Sequence, residues 1–138
     1  MKKSRFLPFI LLLLSTAMLS AQSAETGFLN RSISLDGVEY RYQVYVPYNY
    51  TAAEEWPVTL FLHGAGERGS DGLKQTQVGL GRAIRLNPER WQTLAVFPQV
   101  PVGESWQGVA GDVAMAALDA TIAEFSADAD RLYLTGLS

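Results

Sequence analysis

Apolar and polar positions alternate first, between residues 28 and 46. Leu29, Ile33 and Leu35 recur on one side of Asp36-Gly37; Val38, Tyr40, Tyr42, Val44 and Val46 recur on the other. A period of two predicts half-buried strands, and an Asp-Gly pair between them predicts a tight type I′ hairpin turn. Such a hairpin is expected at the antiparallel edge of a larger sheet, with one face covered and one wet. Pro47 ends it. The pattern then changes: Val58, Leu60, Phe61 and Leu62, within Pro57 to His63, form a nearly unbroken apolar run, as expected of a strand covered on both faces.

A glycine-rich loop, residues 64–72, follows that strand. Gln75 to Leu86 is expected to be a helix that packs through Val78, Ala83, Ile84 and Leu86, although Gly79 and Gly81 each weaken it by about 1 kcal/mol relative to alanine. Thr93 to Phe97 is a second buried strand, stopped by Pro98. Asp112 to Phe125 is the clearest helix, with Val113, Ala117, Leu118, Thr121, Ile122 and Phe125 at helical spacing. Asp128 and Asp130 lead into a last buried strand, Arg131 to Thr135, which runs into Gly136-Leu137-Ser138. A hairpin followed by strand–helix–strand–helix–strand is an α/β pattern with parallel central strands. In such sheets chemistry gathers on the loops at the carboxyl ends of the strands, here after His63, Phe97 and Thr135.

Composition narrows the chemistry. With 48% hydrophobic and 18% charged residues the 138-residue chain is globular rather than disordered, and long enough for one modest domain. The absence of cysteine rules out a disulfide framework, a thiolate metal site and a cysteine nucleophile. A single histidine, His63, leaves no histidine-rich metal site. Residues 1–23 read as a signal peptide. Lys2, Lys3 and Arg5 precede an apolar run from Phe6 to Leu19, and Ala21-Gln22-Ser23 offers small residues for cleavage before Ala24. That run is shorter than the roughly 20 residues of a membrane-spanning helix, so a secreted or periplasmic protein is expected, with a domain over residues 24–138. Removing three leader cations from 11 basic residues leaves 8 against 14 acidic ones, a net charge of −6. Nucleic acid and anionic membrane are therefore poor partners.

Two loops carry candidate chemistry. His63-Gly64-Ala65-Gly66 follows a buried strand directly, and small residues there let main-chain N–H groups turn toward one point. At such a point they can meet the charge that develops on an attacked carbonyl. Bulk at Gly64, Ala65 or Gly66 is expected to push that backbone away. Gly136-Leu137-Ser138 places a serine at a strand tip, reached through a glycine, as in the first half of a Gly-x-Ser-x-Gly elbow. Phosphate-loop readings fail: Ser70 stands where a P-loop lysine is needed, and Ile84 where a dinucleotide fingerprint needs its third glycine.

Together with Tyr45-Val46-Pro47, the stretch from Phe61 to Gly69, Val96-Phe97-Pro98-Gln99 and Arg131 to Ser138, these motifs resemble secreted α/β-hydrolase esterases related to polyhydroxybutyrate depolymerases and phospholipase/carboxylesterases. The resemblance covers residues 28–138 and implies the amino-terminal portion of an α/β-hydrolase fold. It implies Ser138 as the nucleophile of an acyl-enzyme mechanism on an ester. Gly64, Ala65 and Gly66 would form the oxyanion hole, His63 would support that loop, and Trp106 would line the substrate cleft. No metal or cofactor is required. Chain order argues against His63 as the general base, because in the family the acid and the histidine follow the serine. Nothing follows Ser138 in this sequence, so the chain is expected to be an inactive amino-terminal fragment of such an esterase. The competing readings are a non-catalytic truncated product that persists as a binding fragment, and a secreted serine peptidase of the same fold. The acyl chain, a polymeric or a small ester, is left open.

Overall fold

The computed structural model describes residues 24–138; the predicted leader lies outside the described residues. One sheet organises them. Its strands are β1 (Gly27–Leu35), β2 (Val38–Val46), β3 (Trp56–Leu62), β4 (Leu94–Phe97) and β5 (Ala127–Gly136), in the spatial order β1-β2-β4-β3-β5. β1 and β2 pair antiparallel, as do β2 and β4, whereas β3 runs parallel to both β4 and β5. The hairpin turn is the one that Asp-Gly predicts, since Asp36 and Gly37 both take positive φ, 51° and 79°.

Two helices cover opposite faces. α2 (Val109–Glu124) buries Ala114, Ala117 and Leu118 against Tyr42, Val44, Val46, Val58, Leu60 and Val96. α1 (Gly79–Leu86) buries Leu80 and Ile84 against Tyr45, Phe61, Ala95 and Phe97. Odd and even positions of β2 and β3 therefore both face apolar neighbours. This explains the unbroken apolar run in β3 and corrects the expectation of a wet face along the second hairpin strand. Residues 42–46 are all buried, because β2 sits inside the sheet and α1, with the turn before it, lies over its second face. On that face Gln43 is satisfied by polar partners rather than by water: its Nε2 donates to Asn30 Oδ1 (2.8 Å) and its Oε1 accepts from Thr76 Oγ1 (2.8 Å).

The first predicted helix is divided. Lys74–Thr76 forms a 3₁₀ turn and α1 starts only at Gly79, whose φ of +54° lies outside the right-handed helical region. Leu86, expected to pack, is 66% exposed, while Leu80 takes its place in the core. The last strand also departs from expectation. β5 begins at Ala127, carries an irregularity opposite Trp56–Val58, and is not buried: Leu132, Tyr133 and Leu134 are 43%, 57% and 68% exposed. Among the described residues β5 has one neighbour, β3, and α2 reaches it without covering its outer half. Its apolar composition signals a strand correctly, but among the described residues no layer covers its outer half.

Candidate active site

The parallel strands β4, β3 and β5 end at the same edge of the sheet, with Leu60 opposite Val96 and Leu62 opposite Gly136. The loops that leave them therefore meet. The pairing continues one step past β5, where the Leu137 N–H donates to the Leu62 carbonyl at 3.0 Å. Glycine eases the close approach at 136, where a Cβ would stand 3.0 Å from the same carbonyl oxygen. Beyond it Ser138 has a φ of +47°, a left-handed conformation that costs a non-glycine residue on the order of 1–3 kcal/mol. A serine lifted from a strand tip with positive φ is the arrangement a nucleophile elbow requires.

Ser138 faces the glycine-rich loop. A Cβ built on Gly64 would lie 3.9 Å from Ser138 Cβ and 3.2 Å from the Leu137 carbonyl oxygen. Glycine lets the backbone after β3 come this close to residues 137–138 without displacing a neighbour. Gly64 and Ala65 share a cleft of about 200 Å³ with Ser138, His63 and Trp106. Gly66 belongs to the same 3₁₀ turn (Ala65–Glu67) but does not line the cleft, and a Cβ there would meet nothing within 4 Å. The steric demand expected at all three positions thus falls on Gly64.

His63 is buried and both its ring nitrogens are engaged. Nε2 accepts the Val100 N–H at 2.9 Å. This assigns the ring proton to Nδ1, which donates to the Gly64 carbonyl at 2.7 Å. Burial holds the imidazole below its ordinary pKa, with the Gly64 carbonyl and the Glu67 charge opposing that shift only in part. The ring is therefore a neutral brace between the loops after β3 and β4, with no nitrogen left to take a proton from Ser138. Trp106 braces the opposite wall. Its Nε1–H donates to the His63 carbonyl at 2.9 Å, and its ring meets the imidazole edge-on, with centroids 4.8 Å apart. A second cleft of about 200 Å³, lined by Leu62, Trp106 and residues 136–138, adjoins the first.

Gln99 escapes the sequence reading although it stands in the segment Val96 to Gln99. It is 3% exposed. Its Nε2 donates to the Glu67 carbonyl and to Asp71 Oδ1, both at 3.1 Å, and its Oε1 accepts the Gly72 N–H at 2.7 Å. One amide thus fixes three points of the glycine-rich loop. The only available sign in the sequence is a polar residue directly after a strand-ending proline. Asp71 is held below the ordinary carboxylate pKa, chiefly by the N–H groups of Leu73 and Lys74, which closes the far end of the loop. Among the described residues no group of three or more histidine, aspartate or glutamate side chains could hold a metal, and no helix is long and apolar enough to cross a membrane.

Comparison with known proteins places this geometry. No protein-family model matches the chain, and no curated protein does. Solved structures do. A thermostable esterase is 29% identical with a TM-score of 0.66, over 80% of this chain and 34% of that one. A variant of the esterase rPPE is 29% identical with a TM-score of 0.55, over 79% of this chain and 33% of that one. One of two fungal esterases from Rhizomucor miehei shares the fold at 18% identity, with a TM-score of 0.58, over 82% of this chain and 35% of that one. These neighbours are esterases of the α/β-hydrolase fold, and the described residues are part of such a domain. The chain spans about a third of the length of the esterases it matches.

Proposed function

We propose that this chain supplies the nucleophile and the oxyanion-binding loop of a serine carboxylesterase, the amino-terminal portion of an enzyme resembling the secreted polyhydroxybutyrate depolymerase and phospholipase/carboxylesterase group. The observation that carries the proposal is the contact between the two loops: a strained Ser138 at a strand tip, with Gly64 close enough that a methyl group there would touch it. Ser138 Oγ attacks the ester carbonyl, the alcohol leaves, and an acyl-enzyme forms. Main-chain N–H groups of the Gly64–Gly66 loop stabilise the oxyanion, each such donor contributing about 2.7–4 kcal/mol to the transition state. Water then releases the acid.

A serine hydroxyl needs an adjacent base, and the lone histidine is committed to the loop scaffold. Since this chain covers only about a third of the matched esterases, the base and its carboxylate partner are proposed to come from sequence beyond these 138 residues. Residues 1–23 are proposed as a leader for export to the periplasm or the medium. Substrates are proposed to be carboxylic esters, small or polymeric.

The test is labelling of the full-length protein with a fluorophosphonate, together with turnover of 4-nitrophenyl acetate and of a peptide 4-nitroanilide. Expected are stoichiometric labelling at Ser138, ester turnover abolished in Ser138→Ala, and little peptide cleavage. Labelling elsewhere, or equal turnover in Ser138→Ala, overturns the nucleophile assignment. Dominant peptide cleavage moves the enzyme to the peptidases.

A further inference from the structure

The cleft at Ser138 holds one cation. Arg68 lines it together with Ser138, Gly64 and Trp106, and is half-buried there. Among the described residues no carboxylate lies within ion-pair distance of its guanidinium and no hydrogen bond holds it. Among the other arginines, Arg31 is tied to Glu124, Arg131 to Asp128, and Arg85 to Thr76 with its guanidinium over the Phe28 ring, whereas Arg82 and Arg90, which likewise have no side-chain partner among the described residues, line neither cleft at Ser138. A guanidinium stays charged at any working pH and presents a planar fork that matches a carboxylate in two-point contact. In a chain whose acidic residues outnumber its basic ones, 14 to 11, a cation left without a partner in the wall of the reaction cleft stands out. The imidazole beside it is neutral, so no second positive charge competes for an incoming anion. Glu67 Oε2 lies 3.2 Å from a Cβ built on Gly64, and among the described residues no ion pair joins Glu67 to Arg68.

We propose that Arg68 makes the enzyme selective for esters that carry a free carboxylate within a few carbons of the scissile bond, such as hemiesters of dicarboxylic acids or the acid-terminated ends of hydroxyacid oligomers. The inference rests on Ser138 being the nucleophile. A cleft of about 200 Å³ accommodates a short acid-bearing chain. Trp106 forms an apolar wall for the methylenes, and Arg68 receives the carboxylate.

The test compares kcat/KM of the full-length protein for mono-4-nitrophenyl adipate with that for the corresponding neutral methyl ester. The anionic ester is expected to be preferred by tenfold or more. In Arg68→Gln the ratio is expected to fall at least tenfold, Arg68→Lys is expected to retain part of it, and Glu67→Gln is expected to raise it. In the unaltered protein, added salt should depress turnover of the anionic ester alone, a readout that stands even where a variant fails to fold. Ser138-dependent turnover with a ratio near one, or a ratio indifferent to both salt and Arg68→Gln, overturns the selectivity and leaves the esterase reading standing. Absence of any Ser138-dependent turnover overturns both.

Discussion

At the scale of single residues, the site depends on what is missing from Gly64 and on how His63 is held. A Cβ at 64 would stand 3.2 Å from both the Leu137 carbonyl oxygen and Glu67 Oε2, so the Leu137 backbone would have to give by a few tenths of an ångström. Gly64→Ala is therefore expected to shift the loop after β3 away from Ser138 and, if that loop binds the oxyanion as proposed, to slow fluorophosphonate labelling 10²–10³-fold, the usual cost of losing one such donor. Gly66→Ala, two positions on and facing open space, should change the rate less than threefold. Parallel labelling rates decide, and equal effects at the two positions would contradict the placement of the loop. His63 gives a pH signature. Its folded pKa lies below the unfolded value near 6.5 because burial disfavours the imidazolium. Above that pH neither state is protonated and the stabilisation from its two hydrogen bonds is complete. As pH falls below about 6.5 the unfolded chain takes up the proton first, so stability declines toward the depressed folded pKa. Asp71 and Asp128 shift in the same direction but titrate below about 4, so their effect falls in a lower window. Melting temperatures between about pH 5 and pH 7 should rise with pH in the unaltered protein, and the slope should flatten in His63→Gln.

At the scale of elements, the divided helix shows what a sequence period can and cannot reveal. Ile84 is legible as a core residue of α1, and α2 is legible nearly end to end, because continuous packing on one face imposes a helical period. The break before α1 is not legible, since it serves contacts that only the fold creates. Gly79 lies against the Phe61 ring, where a Cβ would come within 2.7 Å of Cζ, and Gly81 packs directly on the Thr76 carbonyl. For the same reason the candidate site was half legible. Ser138, Gly64 and His63 sit in short motifs beside strand ends, whereas Gln99 acts across 27 to 32 residues of chain with no local signature. Gly79→Ala combines a positive φ with this steric conflict and is expected to cost about 1–3 kcal/mol. Urea denaturation measures it, and a midpoint equal to that of the unaltered protein would refute the packing described for Phe61.

At the scale of the whole molecule, the sheet has two unlike edges. β1 ends it on one side, anchored by Arg31 to Glu124 of α2 through paired contacts of 2.6 and 3.0 Å. β5 ends it on the other, with Leu132, Tyr133 and Leu134 exposed and one row of backbone groups without a strand partner among the described residues. Native sheets blunt such edges with charge, proline or a covering element, because a flat apolar edge templates pairing with another chain. β5 does carry a charged irregularity, but near its start, where Arg131 folds onto Asp128 at 2.5 Å and onto the Glu55 carbonyl at 2.7 Å. The half that leads to Ser138 has no such protection among the described residues. The stretch that leads to the proposed nucleophile is therefore the stretch most ready to pair with a stranger. A polypeptide of residues 24–138 alone is expected to self-associate at micromolar concentration and to hydrolyse no ester above a Ser138→Ala control. Leu134→Lys should shift the population toward monomer without restoring turnover, because a charge at the edge blocks pairing and supplies no base. Sedimentation velocity on the two polypeptides, with 4-nitrophenyl acetate turnover measured alongside, tests both halves: a monomeric unaltered polypeptide would mean that the edge is already protected, and Ser138-dependent turnover would place a working base within these 138 residues.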